Sequence, residues 1–161
     1  TLCPTASTTP PRRGYTNVQR GLVQNAVAKG RTELLNPDWI LLDSCSTITC
    51  FKNRDLVVNP RPCFPEEILI SSSNGGDVTY NEIGTTLFLP MAAYLSDSNI
   101  ANIYALSHVA AQYRVTMDTS QDLAMLVHLG NGEVMRFREC GDGLYYFDTR
   151  HDNISKAPLD N

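Results

Sequence analysis

Asp43 ends an apolar run in the stretch Trp39-Ile40-Leu41-Leu42-Asp43-Ser44-Cys45-Ser46-Thr47. Four apolar residues lead into an acid, and small hydroxyl residues follow it. A carboxylate at the inner end of a buried strand is costly unless it is paired, hydrogen-bonded or partly neutralised. Ser44 and Thr47 carry hydroxyls that can supply such bonds. The chemistry this setting suits is proton transfer by a carboxylate. Where two carboxylates share one proton, the ionised one activates a water and the protonated one donates to a substrate carbonyl. This chain offers one acid in that context. Asp97-Ser98, Asp118-Thr119 and Asp148-Thr149 lack the apolar strand-to-glycine setting. A two-lobed single chain is excluded on that count. If the chain is catalytic in this way, two copies must bring two Asp43 residues together across a two-fold axis, and the dyad would titrate as a coupled pair.

The elements that would position Asp43 read as strands from Pro37 onward. Segments 39–42, 68–71, 78–80 and 85–89 are short, β-branched or aromatic, and bounded by turn residues. Ser73-Asn74-Gly75-Gly76 is a strong turn signal. Segments 123–129 and 133–138 flank Gly130-Asn131-Gly132, an Asn-Gly hairpin signal, and 144–147 forms a last strand. A helix over 104–112 separates these groups. Many short strands with one or two short helices predict a mainly β, barrel-like domain. Trp39, Ile40, Leu42, Ile70, Leu87, Leu89, Val115, Leu126 and Phe137 are its expected core. Residues 1–36 read as a Pro/Thr-rich arm. Within it Val18, Leu22, Ala26 and Val27 follow Asn17 at helical spacing, which makes either a short amphipathic helix or a frayed linker. The expected organisation is this arm, a β domain over 37–150, and a tail over 151–161.

Composition narrows the function classes. The 161 residues suffice for one domain with a core. Net charge is −4 with scattered basic residues, which argues against a nucleic-acid surface. The longest apolar stretch, 87–95, is broken by Pro90 and too short to span a bilayer. The chain opens on Thr1 without a leader pattern, which reads as a piece of a longer chain. Cys3, Cys45, Cys50, Cys63 and Cys140 form an odd set without a pairing pattern, consistent with reduced thiols. Cys45, Cys50 and Cys63 lack CxxC spacing, so neither a metal nor a cofactor is expected.

The Asp43 stretch resembles the active-site loop of retropepsin-type aspartic proteases. There an apolar strand runs into Asp-Ser/Thr-Gly, a small residue and Ser/Thr. Asp43, Ser44 and Thr47 match, and Ser46 is an acceptable small residue. Further on, Ser98-Asn99-Ile100-Ala101-Asn102-Ile103-Tyr104-Ala105-Leu106-Ser107 resembles the segment that closes the protease domain of copia-type retrotransposon polyproteins. Tyr113-Arg114-Val115-Thr116-Met117-Asp118 resembles that family's tyrosine-arginine-valine-acid strand. Asp142-Gly143-Leu144-Tyr145-Tyr146-Phe147-Asp148 resembles its glycine-leucine-tyrosine strand before the integrase region. These segments fall in the family's order.

The resemblance implies a small closed retropepsin-like barrel and a homodimeric aspartic endopeptidase that processes a retroelement polyprotein. It implies Asp43, Ser44 and Thr47 as the catalytic loop. Ser73, Asn74, Gly75 and Gly76 would form the tip of a flap hairpin that touches bound peptide. The partners would be a second copy and a polypeptide, without nucleic acid or membrane, and a retroelement product would be intracellular. Cys45 departs from the family, which has glycine there. Glycine serves where backbones pass closely, and the two loops of the dimer meet at this position. A misplacement of about 1 Å can cost around 100-fold in rate. Cys45 could instead be an exposed thiol, a link to Cys45 of the other copy, or a small inert core residue. A thiol pair with His108 or His128 carries no family signature. The alternative function is therefore a catalytically inactive module of this type, used for self-assembly.

Overall fold

The computed structural model describes residues 36–71 and 77–156. The helix expected near Asn17 and the expected flap tip at Ser73, Asn74, Gly75 and Gly76 lie outside the described residues. The domain is mainly β, as the patterning predicts. Its strands are β1 (Trp39–Asp43), β2 (Cys50–Phe51), β3 (Val57–Pro62), β4 (Leu69–Ser71), β5 (Val78–Tyr80), β6 (Glu82–Thr86) and β7 (Ala92–Leu95). They continue as β8 (Asn102–Ala105), β9 (Arg114–Thr116), β10 (Ala124–His128), β11 (Glu133–Glu139), β12 (Tyr145–Asp148) and β13 (Ser155–Lys156). One α-helix, α1 (Leu106–Gln112), and two 3-10 turns complete the described residues.

Eleven strands form one mixed sheet in the order β3-β6-β7-β2-β8-β1-β12-β11-β10-β9, with β13 also on β11. The sheet therefore takes in Ser155–Lys156, which lie beyond Arg150. The expected closed barrel is not formed, because β3 and β9 end the ladder on opposite sides. Both ends are poor templates for closure. In β3 the register slips between Val58 and Arg61, and Asn59 takes a positive φ of 51°. Pro60 and Pro62 each remove a ladder donor there. β9 has only three residues.

Gly84 on β6 is needed where β3 crosses closely. A Cβ at this position would collide with Val57 Cγ1 and lie 3.1 Å from the Val58 carbonyl oxygen. Gly84→Ala is thus expected to lower stability by about 1–3 kcal/mol, the usual range for overpacking. Urea denaturation measures this, and an unchanged midpoint would mean that β3 yields freely.

The core lies on both faces of the sheet centre. Along β1, Ile40 and Leu42 point into the main cluster with Phe51, Tyr104, Phe137 and Phe147. Leu41 points the other way, into a second cluster with Cys50, Val78, Tyr80 and Ile103. Burial on both sides is why β1 is continuously apolar rather than alternating. β4 and β5 form a separate two-stranded sheet that covers the second face through Val78 and Tyr80. Tyr80 donates to Asn99 Oδ1 at 2.6 Å, and Asn99 Nδ2 donates to the Phe51 carbonyl at 2.9 Å. The described base of this hairpin is thus anchored on the sheet.

Ile70 and Leu87, both expected in the core, are instead 69% and 48% exposed. Ile70 lies on the outer face of a hairpin that stands apart from the main sheet. Leu87 falls beyond the end of β6, because the Thr86 hydroxyl donates to the Leu89 carbonyl at 2.6 Å and turns the chain. The strand expected over 85–89 is accordingly Glu82–Thr86. Trp39, Val115 and Leu126 are half-buried, whereas Ile40, Leu42, Leu89 and Phe137 are buried. The helix begins at Leu106, since Asn102–Ala105 is spent on pairing with β1.

Tyr104 is fully enclosed. Its hydroxyl accepts from the Leu89 N–H at 3.2 Å. Burial pushes this phenol up to about 12. For a group whose folded pKa is raised, the stability it contributes is present below the unfolded value, about 10, and is lost as pH rises through the folded value. Unfolding midpoints should therefore fall between about pH 10 and about 12. Tyr104→Phe should flatten this part of the profile, and a profile unchanged in the variant would exclude Tyr104 as its source.

Candidate active site

Asp43 sits at the carboxyl end of β1. β8 runs parallel to β1, with Asp43 in register with Ala105. Outside the carboxyl ends of parallel strands, loops diverge and leave room for a ligand. β8 also pairs with β2, so it lies between β1 and β2. The loop over 44–49, which joins β1 to β2, must therefore pass across the end of β8.

The loop is held at several points. Asp43 Oδ1 accepts from the Cys45 N–H at 2.8 Å. The Ser46 hydroxyl is buried and donates to the Ile48 carbonyl at 2.7 Å. Thr49 Oγ1 accepts from the Ala105 N–H at 3.2 Å and stands 3.1 Å from His108 Nδ1. Asp43 itself is half-buried, while Ser44, Cys45 and Thr47 are exposed. Ser44 Oγ lies 3.9 Å from Cys45 Sγ. The three expected catalytic-loop residues are thus gathered in one surface turn. Cys45 is an exposed free thiol rather than a core residue.

The three other acids weighed in the sequence, Asp148, Asp97 and Asp118, are bonded elsewhere. Asp148 pairs in register with Trp39, at the opposite end of β1. The intervening strand length is about 13 Å at ordinary rise. Asp148 is buried and accepts from Trp39 Nε1 at 3.1 Å, and its Oδ2 lies 3.0 Å from His151 Nδ1. Burial pushes its carboxyl upward, but bonds from the Arg150 N–H, His151 and Trp39 outweigh this and hold it below the ordinary range. Asp97 faces Arg54 at 3.4 Å, and Asp118 accepts from the Ser120 hydroxyl at 2.6 Å. His128 lies on β10, three strands from β1, where its Nε2 is 2.7 Å from Thr116 Oγ1. Of these two histidines, His108 alone reaches the loop.

Sequence reasoning missed Thr49 and weighed His108 only as a thiol partner. Their partnership spans 59 positions, and no local spacing reveals it. They line a cleft of about 350 Å3 with Ile83, Met91, Tyr94 and Gln112. Among the described residues, no three His, Cys, Asp or Glu side chains gather as a metal would require. No described helix is long and apolar enough to cross a membrane. Comparison with protein-family models, curated proteins and solved structures gives no match for the chain. Function must therefore be argued from the residues and their geometry.

Proposed function

We propose that this chain is a retropepsin-like aspartic endopeptidase domain of a copia-type retroelement polyprotein, active as a homodimer through two Asp43 carboxylates. The observation that carries this reading is the setting of Asp43. It ends a buried strand, is held by the Cys45 N–H, and has exposed Ser44 and Cys45 beside it. The nearest buried acid along β1, Asp148, stands at the strand's far end. A dyad therefore requires a second copy, and an exposed turn is where two copies can meet. In the dimer the ionised Asp43 would take a proton from water as it attacks the scissile carbonyl. The protonated Asp43 would donate to the carbonyl oxygen. The test is cleavage of a peptide library from mildly acidic to neutral pH, with and without a transition-state inhibitor of aspartic proteases, beside Asp43→Asn.

The alternative, a non-catalytic module that self-assembles, is favoured by one observation. Cys45 presents a side chain at the surface of the turn where the resemblance calls for glycine. That reading expects no cleavage and an oligomer unaffected by Asp43→Asn in sedimentation.

A further inference from the structure

We propose that His108, acting through Thr49, is a positioning residue for the Asp43 loop. The proposal rests on the reading of Asp43 as the reacting carboxylate. The loop leaves β1 at Asp43 and must return to β2 on the far side of β8. At its returning end the Tyr94 N–H donates to the Thr49 carbonyl at 3.0 Å, and side-chain ties supply the further hold on the crossing. Thr49 makes the tie at the crossing point. Its oxygen accepts from the backbone N–H of Ala105, the residue in register with Asp43. Any shift of Thr49 therefore moves the returning arm of the loop against the strand that sets the height of Asp43.

The Thr49 hydroxyl has one hydrogen to donate. Two groups are near it: His108 Nδ1 at 3.1 Å, which accepts in the tautomer protonated on Nε2, and Met91 Sδ at 4.0 Å. A thioether is a weak acceptor, so in that tautomer the imidazole nitrogen fixes the hydroxyl rotor. Thr49 is 1% exposed, which makes the direction of this hydroxyl costly to change. His108 differs from the neighbouring core residues in that it is exposed. The buried anchor of α1 is Val109. His108 thus adds little to packing, and its bond to the loop is what it contributes. It sits in the first turn of α1, the element that begins where β8 ends, so the helix is tied to the Asp43 loop.

The test compares His108→Leu and His108→Asn in the full chain, with Thr49→Val and Thr49→Ser as partners. Asparagine keeps an acceptor near the position of Nδ1, leucine does not, and valine keeps the shape of threonine without its hydroxyl. Hydrogen–deuterium exchange reads the amides over 44–49, with amides of β11 as the internal reference. His108→Leu and Thr49→Val should exchange about tenfold faster in the loop, the effect of one lost hydrogen bond, with β11 unchanged. His108→Asn and Thr49→Ser should restore protection. In a cleaving protein His108→Leu should also lower kcat while leaving KM nearly unchanged. Loop exchange in His108→Leu equal to wild type overturns the proposal. So does a rise shared equally by β11, which would mark a merely structural role. If the wild-type chain cleaves nothing, the endopeptidase reading fails, and the exchange result still decides whether His108 orders the loop.

Discussion

Asp43→Asn is expected to abolish peptide cleavage, with a loss of about 100-fold to 10,000-fold if a residual rate can be seen at all. An amide cannot hold the shared proton or take one from water, so both roles of the dyad fail together. The substitution preserves the shape of the turn, since the amide oxygen of the introduced asparagine can still accept from the Cys45 N–H. Folding and dimer formation should therefore be unchanged, which separates lost chemistry from lost structure. Cys45→Gly is the companion variant. It removes the side chain from the exposed turn. If that side chain keeps two loops apart by about 1 Å, activity should rise by up to around 100-fold. No cleavage from wild type or from Cys45→Gly would end the enzyme reading and leave the assembling module.

The largest stability effect is expected at Asn102. Its side chain is 0% exposed and uses its full bonding capacity. Oδ1 accepts from the Lys52 N–H at 3.0 Å and from the Asn53 N–H at 2.8 Å. Nδ2 donates to the carbonyls of Pro37 and Trp39, both at 2.8 Å. One amide thus joins the chain entering β1, the chain leaving β2, and β8 between them. Asn102→Ala takes this partner from the Lys52 and Asn53 N–H groups and the Trp39 carbonyl in a closed space, while the Pro37 carbonyl keeps the bond from Asn53 Nδ2 at 2.9 Å. Each unsatisfied group costs about 1–3 kcal/mol, and relaxation recovers part, so a loss of about 3–5 kcal/mol is expected. Against a total of about 5–15 kcal/mol this approaches unfolding. Asn102→Asp should also destabilise, because a carboxylate would face two carbonyl oxygens. A loss under about 1 kcal/mol in urea denaturation would mean that water replaces the amide without penalty.

Legibility followed the range of the forces involved. β1 could be read because an apolar run ending in an acid needs little context. The β10–β11 hairpin could be read because Gly132 supplies the positive φ of 80° that its turn requires. β3 was hidden, since Pro60 and Pro62 normally argue against a strand and are tolerated here at the end of the sheet. β8 was hidden because all four of its residues are buried, which leaves no alternation to separate a strand from the start of a helix. Closure failed for a reason no motif encodes, the poor pairing capacity of β3 and β9. At the site, Asp43 was visible as a chemical anomaly. Thr49 was not, and His108 was considered only beside a thiol, because a threonine and an exposed histidine acquire this meaning only from a partner far along the chain.

On the proposed reading, the seating of β1 also sets when Asp43 can become competent. Its neighbours come late: Asp43 is in register with Ala105, and Trp39 Nε1 bonds to Asp148, 109 positions further on. A nascent chain emerges from the ribosome N-terminal end first, and such distant pairings are slow to form. The strand that carries Asp43 is thus among the first described segments made and among the last to be seated. If the chain is the proposed polyprotein domain, the carboxylate would travel unassembled until the Asp148 region had been synthesised. Translation itself would then act as the timer, delaying cleavage until the segment upstream and the whole domain have left the ribosome.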